Sequence, residues 1–367
     1  MSDPRVRKLA KVLVHYSIEA QKGQQILLHT HPSADELTLA VHEELIKAGA
    51  HPFITNDVPG TKEIFYQFAS DEQLDYVSPV TKLMVETFDG LIHLWAEDNT
   101  RALSGVDQAR VARGRKAQAG INQQFLQRAA EGKLRWTLTV FPNNAMAQEA
   151  DMSLRAYEDF VYGAGMLNEE DPVAFWRAEG AKQQTLIGWL KGHDQVSLKG
   201  SNVDIRLSIL DRPFIECSGK ENFPDGEIFT GPVEDSVNGW IRFKYPAIFS
   251  GQEIHDIELW FENGKVVKEK AAKNQELLTS LLNTDQGARY LGEWGIGTNY
   301  GIQRFTKNML FDEKIGGTIH FAVGSGYPES GSKNESGLHW DMLCDMADSE
   351  ITVDGDLFYK DGKTVIG

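Results

Sequence analysis

The spacing of hydrophobic and polar positions divides the chain into two regions with different periodicities. In the first region, short apolar runs alternate with longer stretches in which apolar residues recur at helical spacing. These patterns predict, in chain order, a helix at 5–20, a strand at 25–29, a helix at 37–48, strands at 51–55, 91–95 and 134–141, and helices near 99–131 and 144–191. Because strands alternate with helices, we expect an α/β domain with a doubly wound, mostly parallel sheet.

After Gly192 the pattern changes to short runs that alternate with a period of two, as in half-buried strands. Strands are predicted within 196–210, 238–249, 253–268 and 315–323. The pair Asn263-Gly264 favours a hairpin turn, and one helix is predicted near 267–285, beginning around Val267. We therefore expect two domains, residues 1–190 and 191–367. The second is predicted to be a mixed α+β domain with a largely antiparallel sheet.

The stretch 318–341 contains two predicted strands joined by a loop rich in Gly, Ser and Pro. On the second strand, His339 and Asp341 are two positions apart, so their side chains point to the same face. The opposite face is apolar. An imidazole and a carboxylate placed in this way are suitable ligands for a metal ion. His320, on the first strand, is a candidate third ligand.

Three further carboxylates lie in glycine-rich segments of the second region, where a solvated charge is unusual. They are Glu227 in 224–232, Glu293 in 291–299 and Glu313 in 310–317. Each of them alone favours an ordinary turn or surface carboxylate, because buried unpaired acids are rare. Their occurrence beside His320, His339 and Asp341 in one predicted domain favours a metal site instead.

Composition and charge exclude several classes of partner. The formal net charge is −16 and there is no block of Lys or Arg, so we expect neither a nucleic-acid nor an anionic-membrane partner. The only cysteines, Cys217 and Cys344, are too few for a disulfide framework. The first residues do not have the apolar core of a signal peptide, and no apolar run reaches 18 residues. These features predict a cytoplasmic protein.

Four ordered motifs in the second region resemble those of the M29 (thermophilic, or T-type) metallo-aminopeptidases. They are Asp-Gly-Glu-Ile-Phe-Thr-Gly-Pro, Gly-Glu-Trp-Gly-Ile-Gly-Thr-Asn, Phe-Asp-Glu-Lys-Ile-Gly-Gly-Thr-Ile-His, and Tyr-Pro-Glu followed by His-Trp-Asp. The likeness covers residues 190–367 in order and is looser over the first region. No Gly-x-Gly-x-x-Gly or Walker lysine loop follows the predicted strands, so the α/β domain lacks the motifs of nucleotide chemistry.

The resemblance implies a site for two divalent ions, such as zinc, cobalt, manganese or magnesium. The ligands that it implies are Glu227, Glu293, Glu313, His320, His339 and Asp341. Glu293 would bridge the ions. The implied catalytic residues are Glu293 and Tyr327, with Tyr327 donating a hydrogen bond to the developing oxyanion. The implied function is removal of N-terminal residues from short peptides with a free amine, by metal-assisted hydrolysis in a homodimer.

One alternative keeps the fold and changes the reaction. His320, His339 and Asp341 are two histidines and one carboxylate, the ligand set of mononuclear iron oxygenases. Some ring-cleaving dihydroxypyridine dioxygenases resemble this peptidase family. The three additional glutamates argue against this alternative, since an oxygenase needs open positions on a single ion. A metal-free binding or scaffold protein on the same fold is the remaining possibility.

Overall fold

A computed structural model describes residues 3–249 and 251–366, and it divides into two compact units. The first unit contains the chain up to Val173 together with Gly219–Pro224. The second contains Ala174–Ser218 and the chain from Asp225 onward. The sequence placed the boundary near residue 190. That position is the last residue of a long helix, and the structure groups this helix from Ala174 onward with the second unit.

Helices are concentrated in the first half of the described chain. The α-helices are α1 (Pro4–Val12), α2 (Asp35–Lys47), α3 (Thr61–Phe68), α4 (Asp71–Asp75), α5 (Pro79–Thr87), α6 (Gln108–Ala117), α7 (Ala119–Ala130), α8 (Asn144–Glu149), α9 (Leu154–Ala164), α10 (Pro172–Leu190), α11 (Gln275–Leu282) and α12 (Met309–Asp312). A π-helical turn at Leu13–Ser17 extends α1, and short 3-10 turns lie at Pro32–Ala34, Gly287–Arg289 and Pro328–Ser330.

Strands predominate in the second half. They are β1 (Gln25–Thr30), β2 (His51–Asn56), β3 (Gly90–Trp95), β4 (Arg135–Val140), β5 (Gln195–Gly200), β6 (Val203–Ser208), β7 (Ile215–Cys217), β8 (Asn222–Phe223), β9 (Glu227–Thr230), β10 (Asn238–Phe243), β11 (Ala247–Phe249), β12 (Gln252–Ile254), β13 (Ile257–Glu262), β14 (Lys265–Lys270), β15 (Leu291–Gly297), β16 (Thr318–Gly324), β17 (His339–Asp345), β18 (Glu350–Val353), β19 (Asp356–Lys360) and β20 (Lys363–Thr364).

The first unit contains a parallel sheet with the strand order β2-β1-β3-β4-β8. Every neighbouring pair in this sheet is parallel, and helices connect the first four strands along the chain. The predicted α/β region with a parallel sheet is therefore confirmed. Its last strand, β8, was not predicted, because a two-residue strand shows no periodicity.

The second unit contains two antiparallel sheets and a small hairpin. The larger sheet has the order β14-β13-β10-β6-β5-β18-β19-β20, the smaller has β17-β16-β15-β9-β7, and β11 pairs with β12. The predicted hairpin turn is confirmed, with Asn263 at φ 49° and Gly264 at φ 82° between β13 and β14. The predicted helix start at Val267 is wrong, because Val267 lies in β14 and the helix begins at Gln275.

One apolar core joins the two antiparallel sheets of the second unit. Buried side chains of the larger sheet, such as Leu198 and Leu259, belong to the same cluster as Trp294 and Phe321 of the smaller sheet. Leu278 of α11 adds to this cluster. The smaller sheet therefore turns one face toward the core, and its other face is available for polar side chains. No helix in the described part of the chain is both long and apolar enough to span a membrane.

Candidate metal centre

Four neighbouring strands of the smaller sheet carry acids and imidazoles on the face opposite the core. In the antiparallel register, Gly324 pairs with His339, Ala322 with Asp341, and Glu293 with Ala322. On the adjoining strand, Glu227 pairs with Gly297. Because side chains alternate between the faces of a strand, the register places these polar groups on one face. The intervening residues, which include Trp294 and Ile319, point into the core.

A β-bulge at the start of β15 directs Glu293 to the polar face. Leu291 and Glu293 are two positions apart, so in a regular strand both would share a face. The register shifts between them, since Leu291 pairs with Val323 and Glu293 with Ala322. Leu291 thereby enters the core while Glu293 points away from it. At Gly292 a Cβ atom would lie 2.4 Å from the Ser325 carbonyl oxygen, so the bulge requires a glycine.

His320 can lie flat over β15 because its neighbour on that strand is Gly295. A Cβ atom at Gly295 would lie 2.0 Å from both Cε1 and Nε2 of His320. The imidazole is fully buried at this position. Its Nε2 atom lies 3.1 Å from Glu293 Oε1 and 3.3 Å from Glu227 Oε2. A side chain at position 295 would therefore exclude His320 from the cluster.

The polar groups form two sets that share one carboxylate. Glu227, Glu293 and His320 form the first set, and Glu293, His339 and Asp341 form the second. Within each set, the ligand atoms lie within 4.8 Å of one another. In the second set, His339 Nε2 lies 3.4 Å from Asp341 Oδ2 and 3.9 Å from Glu293 Oε2. The two oxygens of Glu293 thus face one histidine each.

Hydrogen bonds to backbone carbonyls orient both imidazoles toward the carboxylates. Nδ1 of His320 donates to the Glu313 carbonyl at 3.1 Å, and Nδ1 of His339 donates to the Ser325 carbonyl at 2.6 Å. The Nε2 atoms therefore face the carboxylate cluster. This arrangement is the usual one for metal-binding histidines, whose second nitrogen is held by a carbonyl or carboxylate.

The donor set fits divalent metal ions. Three carboxylate oxygens of this cluster are buried and have no hydrogen-bond partner, namely Glu227 Oε2, Glu293 Oε2 and Asp341 Oδ1. A buried carboxylate oxygen without a partner is strongly unfavourable unless a cation neutralises it. Oxygen and imidazole donors in this combination suit zinc, cobalt, manganese or magnesium. The residues present therefore match the chemistry of a metal site.

The pKa values show how strongly the cluster attracts positive charge. Burial alone would lower the pKa of His320, but the bonded carboxylate of Glu293 and the nearby Glu227 raise it to about 10. Burial would also lower the pKa of His339, but the nearby Asp341 carboxylate raises it to about 10. Burial raises the pKa of Glu227 to about 8, despite the nearby Lys314 ammonium. In the metal-free protein at neutral pH, protons therefore provide part of the charge that the carboxylates require.

We predict that metal binding releases protons and tightens as the pH rises. Since the pKa values of His320 and His339 are about 10, both must lose a proton before Nε2 can coordinate an ion. The apparent affinity should rise from pH 7 toward pH 10 and level off above it, and protonation should weaken it below pH 7. Calorimetric titration of Zn²⁺ in two buffers of different ionisation enthalpy should give at least one proton released per ion. Identical apparent enthalpies in the two buffers would contradict this prediction.

Glu313 does not join either set of ligands. Its carboxylate forms an ion pair with Lys314, and its backbone carbonyl accepts the hydrogen bond from His320. Lys314 is fully buried, and its Nζ atom also lies 3.3 Å from Glu227 Oε1. Lys314 was not predicted from the sequence, because a lysine between an acid and an apolar residue has the pattern of an ordinary solvated side chain. Only the glycines and apolar residues that follow Lys314 in the sequence indicate that it is buried.

Tyr327 lies at the edge of the cluster. Its ring is 5.1 Å from that of His339 and 5.7 Å from that of Phe229, measured between centroids. Partial burial and the negative charges of Glu293 and Asp341 raise the pKa of the phenol, so the hydroxyl stays protonated and can donate a hydrogen bond. Phe229, two positions after Glu227 on β9, was not identified from the sequence.

The mononuclear iron alternative is not favoured by this geometry. His320 belongs with Glu227 and Glu293, whereas His339 belongs with Asp341 and Glu293. The two histidines and Asp341 do not form a separate three-ligand set in the described part of the chain. The open facial arrangement of an oxygenase requires such a set on one ion.

The fold and the site together define the class of this protein as a metal-dependent hydrolase. The family model described as thermophilic metalloprotease (M29) matches residues 2–366. The chain belongs to this family, and it is a metallo-aminopeptidase, a hydrolase that acts on peptide bonds.

Individual relatives of known name also align with nearly the whole chain. Aminopeptidase T of Thermus thermophilus is 25% identical, and the alignment covers 97% of this chain and 95% of that protein. Aminopeptidase 2 of Geobacillus stearothermophilus is 26% identical, over 97% of this chain and 94% of its own. The solved structure of wild-type AmpT from Thermus thermophilus superposes with a TM-score of 0.86 at 22% identity and covers 99% of both chains, which shows the same fold.

Proposed function

We propose that this enzyme removes N-terminal residues from short peptides by means of two divalent ions. The ligands are Glu227, Glu293 and His320 for one ion, and Glu293, His339 and Asp341 for the other. The observation that carries the proposal is the position of Glu293, whose two oxygens face the two histidines at 3.1 and 3.9 Å. A carboxylate shared by two ligand sets can hold two ions close together, as in the paired metal sites of hydrolases.

The remaining steps are carried out by side chains around the proposed ions. Bound ions would lower the pKa of water toward about 7 and polarise the scissile carbonyl. Tyr327, which keeps its proton, donates a hydrogen bond to the oxygen on which negative charge develops. The free amine of the substrate would bind a metal ion or an acidic side chain of the cluster. Requirement for a free amine would confine cleavage to the N-terminus.

Cleavage assays with and without metal test this function. Leu-p-nitroanilide and a series of dipeptides to pentapeptides should be hydrolysed, while their N-acetylated counterparts should not. Removal of metal by a chelator and gel filtration should abolish turnover. Addition of Zn²⁺, Co²⁺, Mn²⁺ or Mg²⁺ should restore it, with two ions per chain at full activity. Equal cleavage of acetylated peptides, or turnover of the metal-free protein, would contradict the proposal.

We predict that Tyr327→Phe lowers kcat without changing metal binding. Loss of one hydrogen bond to the developing oxyanion costs about 10²–10³-fold in kcat. The ring packing against His339 and Phe229 remains in the variant, so metal stoichiometry and thermal stability should match the wild type. Tyr245→Phe, which alters a tyrosine that stacks on Phe305, serves as the control and should retain full activity. A kcat for Tyr327→Phe within threefold of the wild type would exclude Tyr327 from the chemistry.

We also propose that the enzyme is a cytoplasmic homodimer. Cys217 and Cys344 are not joined in a disulfide, as expected in a reducing compartment. Large apolar side chains are exposed on neighbouring elements of the first unit, with Phe53 and Ile54 on β2 and Ile64 and Phe68 on α3. Large apolar side chains that are exposed in this way support self-association. Sedimentation equilibrium should give twice the mass of the 41.0 kDa chain.

A further inference from the structure

A buried ammonium group lies next to the metal centre. Lys314 is completely inaccessible to solvent, although lysine is among the residues least often buried. Its Nζ atom is paired with Glu313 and lies 3.3 Å from Glu227 Oε1. Each of these carboxylates therefore has a permanent cation beside it, supplied by the chain itself. Because Lys314 is buried, its ion pairs with Glu227 and Glu313 are shielded from solvent.

The Lys314 ammonium also neutralises a third group of possible metal ligands. Cys217, Asp225 and Glu227 lie close enough together to hold an ion. Asp225 and Glu227 both stabilise the charge of Lys314 through their own negative charges. The positive charge that this acidic pocket needs is therefore provided by a lysine. We accordingly assign no third metal ion to this group.

The two proposed metal sets differ because Lys314 forms an ion pair with a ligand of only one of them, Glu227. In the first set, Glu227 Oε1 faces Lys314, which leaves Oε2 to face His320 at 3.3 Å. Lys314 also places a positive charge beside that set, where it repels a bound ion. In the second set, Asp341 pairs with His339, and no Lys or Arg forms an ion pair with Asp341 among the described residues.

We propose that Lys314 is a positioning residue that makes the two metal sets unequal. It fixes the orientation of Glu227 and lowers the affinity of the ion held by Glu227, Glu293 and His320. The ion held by Glu293, His339 and Asp341 is then the more tightly bound of the two. This inference rests on the proposed two-ion function, and it adds which ion is exchangeable and why.

Titration of the metal-free enzyme with Co²⁺, followed by calorimetry and by the visible absorption of the bound ion, tests the inference. The wild type should bind two ions in two resolved steps. Lys314→Met removes the charge at nearly constant volume, and it should tighten the weaker step by about tenfold or more while the stronger step changes less than threefold. Lys314→Arg keeps the charge and should keep two unequal steps. Lys270→Met, which alters an exposed lysine paired with Glu258, should change neither step.

A second pair of variants identifies the two steps without altering Lys314. His320→Ala should remove the weaker step, and His339→Ala should remove the stronger one. The inference is overturned if Lys314→Met leaves the weaker step unchanged or loosens it, or if His339→Ala removes the weaker step. These results would leave the peptidase function in place. Absence of any Co²⁺ binding to the wild type would instead contradict the proposed function itself.

Discussion

Glu293→Gln should abolish peptide hydrolysis, with a loss of at least about 1,000-fold in kcat. This loss exceeds the 10–100-fold that is typical for partners that only orient a metal ligand. Glutamine has nearly the same size as glutamate, so the buried position remains filled. The substitution replaces a negative charge by a neutral amide, and one of the two acceptor oxygens becomes an NH₂ donor. Because each oxygen of Glu293 faces a different histidine, this single change affects both metal sets.

Metal content and stability distinguish a loss of ligand from a loss of fold. Elemental analysis of Glu293→Gln should give fewer than two ions per chain, while circular dichroism should match that of the wild type. Glu258→Gln is the matched control, since Glu258 lies in the larger sheet and pairs with exposed Lys270. The control should keep both ions and full activity. A Glu293→Gln enzyme that turns over at the wild-type rate would show that Glu293 holds neither ion.

Gly295→Ala should reduce activity by about 100-fold or more through a displacement of His320. The added Cβ atom would lie 2.0 Å from Nε2 of His320, and the buried imidazole has no solvent to move into. Movement of a reacting group by about 1 Å can cost 10²-fold in rate. The first metal set should lose affinity for its ion, whereas the second set, which does not contain His320, should retain it.

Gly188→Ala is the control for Gly295→Ala. Gly188 lies on the exposed side of α10, and a Cβ atom there would contact nothing within 4 Å. Alanine in a helix interior is more favourable than glycine by roughly 0.5–1 kcal/mol, so this control should be active and slightly more stable. Unchanged affinity for both ions in Gly295→Ala would contradict this prediction, because it would show that the imidazole tolerates the alanine.

Several of the residues that meet at the candidate site were predicted from the sequence, although Glu313 joins neither ligand set. A period of two in 318–341 placed His339 and Asp341 on one face, and the structure has them 3.4 Å apart. Glu227 and Glu293 stood out because carboxylates among glycines and apolar residues are unusual. The alternation of strands and helices predicted the parallel sheet of the first unit. These features are local, so they can be read from neighbouring positions along the chain.

Features that depend on pairing between distant strands could not be predicted in this way. The bulge at Gly292 reverses the direction of Glu293, and only the register with β16 reveals it. Lys314 has its partners Glu227 and Glu313 on different elements, so its burial is visible only in the folded chain. The return of Gly219–Pro224 to the first unit is similarly a consequence of pairing with β4 rather than of composition.

The division of the ligands among β9, β15, β16 and β17 bears on when the enzyme becomes active during its synthesis. Glu227 and Asp341 are separated by more than a hundred positions, and the two ligand sets are both complete only when all four strands have joined the same sheet. On the proposed two-ion function, a chain that is still growing on the ribosome would lack the complete metal site.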